Sequence, residues 1–321
     1  MGDSKVLACQ RKHVSWKTWA LVVVVTALGF GAGWWWGGER AKRNPTPLID
    51  LSRRFVSQEH FIVNIQPLRD WINQYVAEKG ANRISIYLEV LNTGSNISVN
   101  KELQIFPASL MKIPVAMVTM RKVQDGDIGL DDAISLKQQH LNSDSGELYT
   151  RGAGARLTIR ELVTALLQES DNTAYFALLE LATPDELGGI IDEVGLLGLF
   201  DQETGAISAK EYSRFFRALY SSSFLNREHS QYILDSLTRS SFREFLSSGL
   251  PKDVLFAHKY GEHIDRGVYL DSGIVYLPDR PYLLTVMIKE EGDVAQAKAN
   301  AAKTMGEISA KAFEYIKNYH R

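Results

Sequence analysis

The sequence predicts an α/β (α+β) domain: a five-stranded antiparallel sheet flanked by N- and C-terminal helices, with an inserted all-helical lobe. Three observations support this prediction. Two strand-like segments lie early in the domain, a long block with helical spacing follows, and three more strand-like segments precede a long C-terminal helix. A layer of helices covering the sheet satisfies this order of elements. One N-terminal transmembrane helix is predicted to precede the domain.

The first elements are a helix and a hairpin. Residues 65–79 place apolar side chains at helical spacing, and Gly80 ends the predicted helix. Residues 83–90 alternate between apolar and polar side chains. A turn over residues 92–95 leads to a second strand over 96–100, so we expect the two strands to pair.

The middle of the chain is predicted to be mostly helical. Two capping boxes mark helix starts, one formed by Thr158 with Glu161 and the other by Ser208 with Glu211. Further helices are expected over residues 173–181, 184–194, 227–237 and 241–246. Strands then follow over 254–259, within 266–277 and over 282–289, and the last helix covers 294–319.

The N-terminal region predicts a membrane anchor. Trp19 to Trp36 is an uncharged apolar run, and at helical rise it spans roughly 27 Å, close to the thickness of a bilayer core. A cleaved signal peptide is the alternative interpretation, but bulky tryptophans follow the small residues that would form its cleavage site. Cys9 precedes this run, so it does not form a lipobox at its end. The flanking charges favour a cytoplasmic N-terminus only slightly.

The chain is therefore predicted to contain a cytoplasmic segment (residues 1–18), an anchor (19–36), a linker (37–62) and one domain (63–321), whose helical lobe covers about 106–250. The anchor is predicted to cross the cytoplasmic membrane once, with the N-terminus inside, although the flanking charges alone barely orient it.

Composition excludes several functional classes. The 321-residue chain has a net charge of −2, which argues against a nucleic-acid partner because such partners need a basic surface. Cys9 is the single cysteine, so no internal disulfide can form. The seven histidines lack the spacing of a zinc hydrolase, so neither a metal nor a cofactor is predicted.

Three short motifs carry candidate chemistry. Ser109 and Lys112 are three residues apart at the start of an apolar helix, so they share one face and the lysine can act as base for the hydroxyl. A Ser-Asp-Asn sequence over residues 170–172 lies between two helices, and a Lys-Tyr-Gly sequence over 259–261 lies on the first C-terminal strand. Each motif alone is weak, because such residues also occur in ordinary caps and turns.

Together and in this order, the motifs resemble the S-x-x-K, S-D-N and K-T-G signature of the penicillin-recognising serine hydrolases, the class A β-lactamases and related D,D-peptidases. Phe106-Pro107-Ala108 before the serine and Asp271-Ser272-Gly273-Ile274-Val275 on the next strand extend the resemblance, which covers about residues 65–320.

The resemblance implies a role for each candidate residue. Ser109 would attack a carbonyl, Lys112 would take its proton, and Ser170 with Lys259 would pass a proton to the departing nitrogen. Asn172 would bind the substrate amide, and Gly261 would leave the strand open to substrate. The backbone N–H groups of Ser109 and Glu262 would form the oxyanion hole.

Two departures from the family pattern limit these expectations. Tyr260 is expected among the substrate-binding residues, but it stands where the family has a small hydroxyl that binds the substrate carboxylate, and its phenol is larger and reaches elsewhere. In addition, residues 196–207 contain no Glu-x-x-x-Asn pattern for activating the deacylating water; Asp201 and Glu203 are its acids. The sequence therefore predicts an acyl-enzyme that deacylates poorly. His258, beside Lys259, is either a structural histidine or a residue that tunes that lysine.

The predicted function is thus a membrane-anchored, β-lactamase-like serine hydrolase acting on β-lactams or D-Ala-D-Ala-type cell-wall peptides. Because such substrates lie outside the cytoplasmic membrane, the resemblance implies an extracytoplasmic catalytic domain. The alternatives are a D,D-carboxypeptidase or penicillin-binding protein, and a catalytically weak module that binds peptidoglycan. A glutaminase-type hydrolase of the same fold is a further alternative.

Overall fold

The computed structural model of the protein describes residues 64–196 and 205–319. The predicted segments 1–18, 19–36 and 37–62, with Cys9, lie outside these residues, as do Asp201 and Glu203. No helix in the described part of the chain is long and apolar enough to cross a membrane.

A five-stranded antiparallel sheet forms the centre of the domain, as the sequence predicts. Its strands are β1 Ile84–Val90, β2 Ser95–Val99, β5 Phe256–His263, β6 Val268–Val275 and β7 Tyr282–Lys289. Their order in the sheet is β2-β1-β7-β6-β5, so the hairpin of β1 and β2 lies at one end and β5 forms the other edge. Strand β5 extends four residues beyond the predicted end at Lys259, so Tyr260 and Gly261 of the Lys-Tyr-Gly motif also lie on the edge strand.

The first and last helices cover one face of this sheet. Helix α1, Gln66–Gly80, buries Leu68, Ile72 and Val76, which confirms the helical spacing read from the sequence. The C-terminal helix, α9, Val294–Asn318, contacts α1 and packs over the same core. Burial of these side chains is the main force holding both helices on the sheet.

The other face carries the helical lobe. Thr158 and Ser208 both cap helices through reciprocal bonds with the predicted glutamates. The helices of the lobe are α2 Lys112–Asp125, α3 Ile159–Gln168, α4 Asn172–Leu179, α5 Pro184–Glu193, α6 Ala209–Ser221 and α7 Arg227–Thr238. The single turn α8, Phe245–Ser248, packs instead against α9, in the core that the first and last helices cover.

Two elements differ from the sequence prediction. The helix expected over residues 241–246 is a single turn that begins at Phe245. A two-stranded ribbon of β3, Ala133–Ser135, and β4, Arg156–Thr158, was not expected. Three-residue strands are too short to show alternation, so their pairing leaves no clear trace in the sequence.

Candidate active site

Ser109 lies on a short 3₁₀ turn, Ala108–Met111, that leads directly into α2. Ala108 adopts a φ of 45°, a region that a residue with a Cβ seldom occupies and that often occurs at functional sites. Tyr212, fully buried on α6, donates a hydrogen bond to the carbonyl oxygen of Leu110 at 2.9 Å. This hydrogen bond from a side chain of the lobe fixes the position of the Ser109 turn.

The side-chain nitrogen of Lys112 contacts polar atoms of both the first and the second motif. Its Nζ lies 3.3 Å from Ser109 Oγ and 3.1 Å from Ser170 Oγ. It also donates to the Ser170 carbonyl oxygen at 2.5 Å and to Asn172 Oδ1 at 2.6 Å. The first two motifs predicted from the sequence thus meet at one ammonium group that is only 2% exposed.

Burial makes Lys112 lose its proton more easily than an exposed lysine does. Burial lowers the pKa of Lys112 to about 8, and the negative charge of Asp171 partly opposes that effect. Because one pKa unit is a factor of ten in the ratio of the two forms, about a tenth of Lys112 is neutral at pH 7. A neutral amine 3.3 Å from a serine hydroxyl can accept its proton.

The Ser170–Asn172 turn is built around a buried carboxylate. Ser170 has a φ of 57°, and Asp171 caps α4 by accepting a bond from the amide of Ala174 at 2.8 Å. Its other oxygen accepts from the amide of Leu148 at 2.9 Å. Asp171 therefore fixes the turn, so its neighbours on both sides face Lys112.

A loop that the sequence analysis missed supports this turn. Asn142 Oδ1 accepts from Asn172 Nδ2 at 2.9 Å, and Ser145 Oγ donates to the Ser170 carbonyl oxygen at 2.9 Å. Gly146 lies so close to Asp171 that a Cβ would fall 2.0 Å from its carboxylate oxygen. The turn-forming composition of residues 142–146 was the available signal.

Strand β5 brings the third motif against the Ser109 turn. A Cβ on Gly261 would lie 3.1 Å from the amide nitrogen of Ser109 and 3.2 Å from that of Leu110. The glycine thus permits close approach of two backbones, which adds to the predicted reason of leaving room for substrate.

Lys259 is buried on the same strand, with 1% of its surface exposed. Its Nζ donates to the Tyr260 carbonyl oxygen at 3.1 Å and lies 4.5 Å from the centre of the Tyr260 ring. Burial lowers the pKa of Lys259 well below its ordinary value, the charge of Lys112 lowers it further, and Asp271 raises it. The positive charge of Lys112 thus disfavours the charged form of Lys259.

Tyr260 and Glu262 are engaged with their own neighbours. The Tyr260 ring stacks on Phe242, with ring centres 3.6 Å apart and planes at 8°. A carboxylate oxygen of Glu262 lies 3.1 Å from Lys298 Nζ on α9. Their predicted contacts with substrate, and the role of the Glu262 backbone, stay predictions.

Comparison with known proteins places these observations in a family. A family model described as the Beta-lactamase enzyme family matches residues 67–316. One curated relative, the β-lactamase regulatory protein BlaB of Streptomyces cacaoi, is 24% identical over 136 residues. That match covers 42% of this chain and 42% of the relative, so the chain spans less than half of that protein's length.

Solved structures share the fold. A mutant of PBP-A, an acyl-enzyme complex with penicillin G, superposes with a TM-score of 0.70 at 19% identity, covering 79% of this chain and 98% of that one. A β-lactamase from Sphaerobacter thermophilus gives 0.69 at 20% identity, covering 81% and 100%. At these identities the likeness shows the fold alone.

Proposed function

Because the chain belongs to the β-lactamase enzyme family of serine hydrolases, we propose that it forms an acyl-enzyme on Ser109 with β-lactams or D-Ala-D-Ala-type cell-wall peptides. The observation that carries this proposal is the hydrogen bond between Lys112 Nζ and Ser109 Oγ, together with the lowered pKa of Lys112. A module that only binds has no need of a lysine held partly neutral beside a serine.

The acylation step uses the groups that converge on Lys112. The neutral amine takes the Ser109 proton while Oγ bonds to the substrate carbonyl carbon, and the C–N bond of the lactam or peptide then breaks. The departing nitrogen receives a proton through Ser170, whose Oγ is 3.1 Å from the same Nζ. The product of this step is an ester on Ser109.

The other site residues orient the substrate and stabilise the negative charge that develops during acylation. Lys259 supplies a cation that attracts an anionic substrate group, and Asn172, which is already bonded to Lys112, presents its amide to the substrate. The backbone N–H groups of Ser109 and Glu262 stabilise the developing oxyanion; one such donor is worth about 10²–10³ in rate.

Deacylation is proposed to be slow. The acids of the three motif regions are engaged: Asp171 caps α4, Asp271 contacts His258, and Glu262 pairs with Lys298. The sequence between residues 196 and 207 has no Glu-x-x-x-Asn pattern. The ester on Ser109 would therefore persist with a penicillin, as in a penicillin-binding protein.

We further propose that residues 19–36 anchor the chain in the cytoplasmic membrane and place the domain outside it. The uncharged apolar run of the sequence and the location of cell-wall substrates support this proposal. Alkaline carbonate extraction of membranes from cells that express the full chain, and protease accessibility in intact spheroplasts, test it.

A catalytically weak binding module is the second candidate. The partial match to a protein named as a β-lactamase regulatory protein favours it. Labelling with a fluorescent penicillin, followed by gel separation of wild type and Ser109→Ala, distinguishes the two. The enzyme hypothesis predicts a covalent band in the wild type alone. Reversible binding without a band in correctly folded protein would support the module instead.

A further inference from the structure

An exposed arginine lies beside the Ser109 turn and has no part in the proposed acylation chemistry. Arg266 is the last residue of a 3₁₀ turn, Ile264–Arg266, that joins β5 to β6. Its guanidinium lies over the ring of Phe106, 4.4 Å from the ring centre. Phe106 is three residues before Ser109 in the chain, so the contact places this cation next to the nucleophile's own turn.

Strand β5 runs past the Ser109 turn and has different groups on either side of it. Residues 259, 261 and 263 share one face of the sheet, because side chains on a strand alternate. Gly261 approaches the Ser109 backbone, and the ring of His263 packs edge-on against Phe106 with ring centres 5.7 Å apart. At about 3.3 Å per residue, Lys259 and His263 are about 13 Å apart along the strand, on opposite sides of Gly261.

A substrate that lies along this edge strand therefore has a fixed direction. In penicillins and D-Ala-D-Ala peptides the carboxylate is attached next to the departing nitrogen, so the proposed attraction by Lys259 puts the leaving part at that end. The carbonyl that is attacked meets Ser109 and the backbone N–H of Glu262. The acyl part then extends towards His263 and the turn that ends at Arg266.

The backbone holds this turn in one position. Gly267, which follows it, has a φ of 60°, and a Cβ there would lie 1.8 Å from the carbonyl oxygen of Glu290. The amide of Gly267 donates to the Ile264 carbonyl oxygen at 2.9 Å, and the amide of Glu290 donates to the Gly267 carbonyl oxygen at 2.8 Å. The turn is thus fastened to the end of β7, while the Phe106 ring orients the guanidinium.

The positive charge of Arg266 is available to a ligand. Among the described residues no acid forms an ion pair with it, the exposed Asp265 beside it included. Glu262 and Glu290, the acids nearest to the two ends of the hairpin, are each paired with another basic residue. A guanidinium presents a planar set of N–H donors that matches the two oxygens of a carboxylate. A carboxylate is therefore the group that fits here.

We propose that Arg266 is a specificity-determining residue that binds a carboxylate in the acyl part of the substrate. The chain then favours acyl donors, penicillins or cell-wall peptides, that carry an acidic group on the acyl side of the scissile bond. An arginine that is merely solvated would give no such preference. The inference rests on the proposed acylation of Ser109 for the direction in which the substrate lies.

The test compares two penicillins that differ by one charge. Carbenicillin is penicillin G with a second carboxylate on the side-chain carbon next to the ring. Intact-protein mass spectrometry of the full-length chain gives the second-order acylation rate constant for each. In Arg266→Gln the ratio of carbenicillin to penicillin G should fall about three- to fivefold, the upper range for an exposed ion pair. Raising the salt from about 0.05 M to about 0.5 M should lower the ratio in the wild type alone.

Arg243→Gln is the matched control. Arg243 is also exposed, but it lies next to Phe242, whose ring stacks on Tyr260. The substitution changes the net charge of the chain by the same amount as Arg266→Gln. It should leave the ratio of the two rates unchanged. Melting temperatures of both variants should equal that of the wild type, since neither arginine is buried.

A binding readout separates this inference from the proposed function. In Ser109→Ala, which has no nucleophile, the Nε–H signal of Arg266 in ¹⁵N-arginine spectra is identified by its loss in Arg266→Gln. It should shift on addition of carbenicillin and stay in place with penicillin G. A wild type that neither penicillin acylates, with this shift present, overturns the proposed function alone.

Three results would overturn the inference itself. The first is an unchanged ratio of rates in Arg266→Gln. The second is an equal fall of the ratio in Arg243→Gln, which would make net charge the cause. The third is an Arg266 signal in Ser109→Ala that carbenicillin does not shift, whatever the acylation rates.

Discussion

Replacing Lys112 with arginine isolates its function as a base. Arginine keeps the positive charge and can still donate to the acceptors around Lys112, but its pKa above 12 means that it does not deprotonate in proteins. In the wild type, burial brings the pKa of Lys112 to about 8. The variant therefore retains a cation at the site and loses the neutral amine that faces Ser109.

The expected loss of acylation rate follows from the fraction of each side chain that is neutral at pH 7. About a tenth of Lys112 is neutral at pH 7, whereas less than about one part in 10⁵ of an arginine is. General-base catalysis is worth about 10²–10⁴ in rate, so acylation by a penicillin should fall by that factor in Lys112→Arg. The wild-type rate should rise about tenfold per pH unit below pH 8 as Lys112 loses its proton.

The assay is stopped-flow acylation between pH 6 and pH 10, with melting temperatures measured at each pH. Lys122→Arg is the matched control, since Lys122 lies on the same helix and pairs with Glu186 at the surface, 2.6 Å away. It should leave the profile unchanged. A Lys112→Arg protein that folds and acylates within threefold of the wild type, roughly 0.6 kcal/mol in barrier, would refute the assignment of Lys112 as the base.

Three further substitutions test the supports of the site. Asp171→Asn keeps an acceptor at the helix cap but removes a charge that raises the pKa of Lys112, so the rising limb of the acylation profile should move to lower pH. Gly261→Ala pushes a Cβ against the Ser109 amide. The rate of acylation, measured by mass spectrometry, should therefore fall at temperatures where the variant is still fully folded. Tyr212→Phe removes the bond to the Leu110 carbonyl, so chemical denaturation should show a loss of about 1 kcal/mol. An equal loss of stability without any change in acylation in all three would mean that they only support the fold.

Much of the fold could be predicted because local signals agreed with the final structure. The capping boxes at Thr158 and Ser208 start helices where the sequence indicates, and apolar spacing marks α1. The i, i+3 spacing of Ser109 and Lys112 survives although the serine lies on a 3₁₀ turn, since either kind of turn puts both residues on one side.

What could not be predicted depends on contacts between distant segments. Nothing local places Asn142 beside Asn172, because only the fold of the lobe brings the two loops together. The contact of His258 with Asp271 depends on strand register, which the sequence pattern does not fix to the residue. The stacking of Tyr260 on Phe242 likewise requires the turn before α8 to lie against the sheet edge.

The most direct test of the central claim is intact-protein mass spectrometry of the full chain after mixing with penicillin G. We predict a mass increase equal to one whole penicillin molecule, since opening the lactam ring loses no atoms. The adduct should map to the peptide that contains Ser109, persist for many minutes, and be absent from Ser109→Ala. A folded wild type without an adduct, or an adduct that remains in Ser109→Ala, would contradict the claim that Ser109 is the nucleophile.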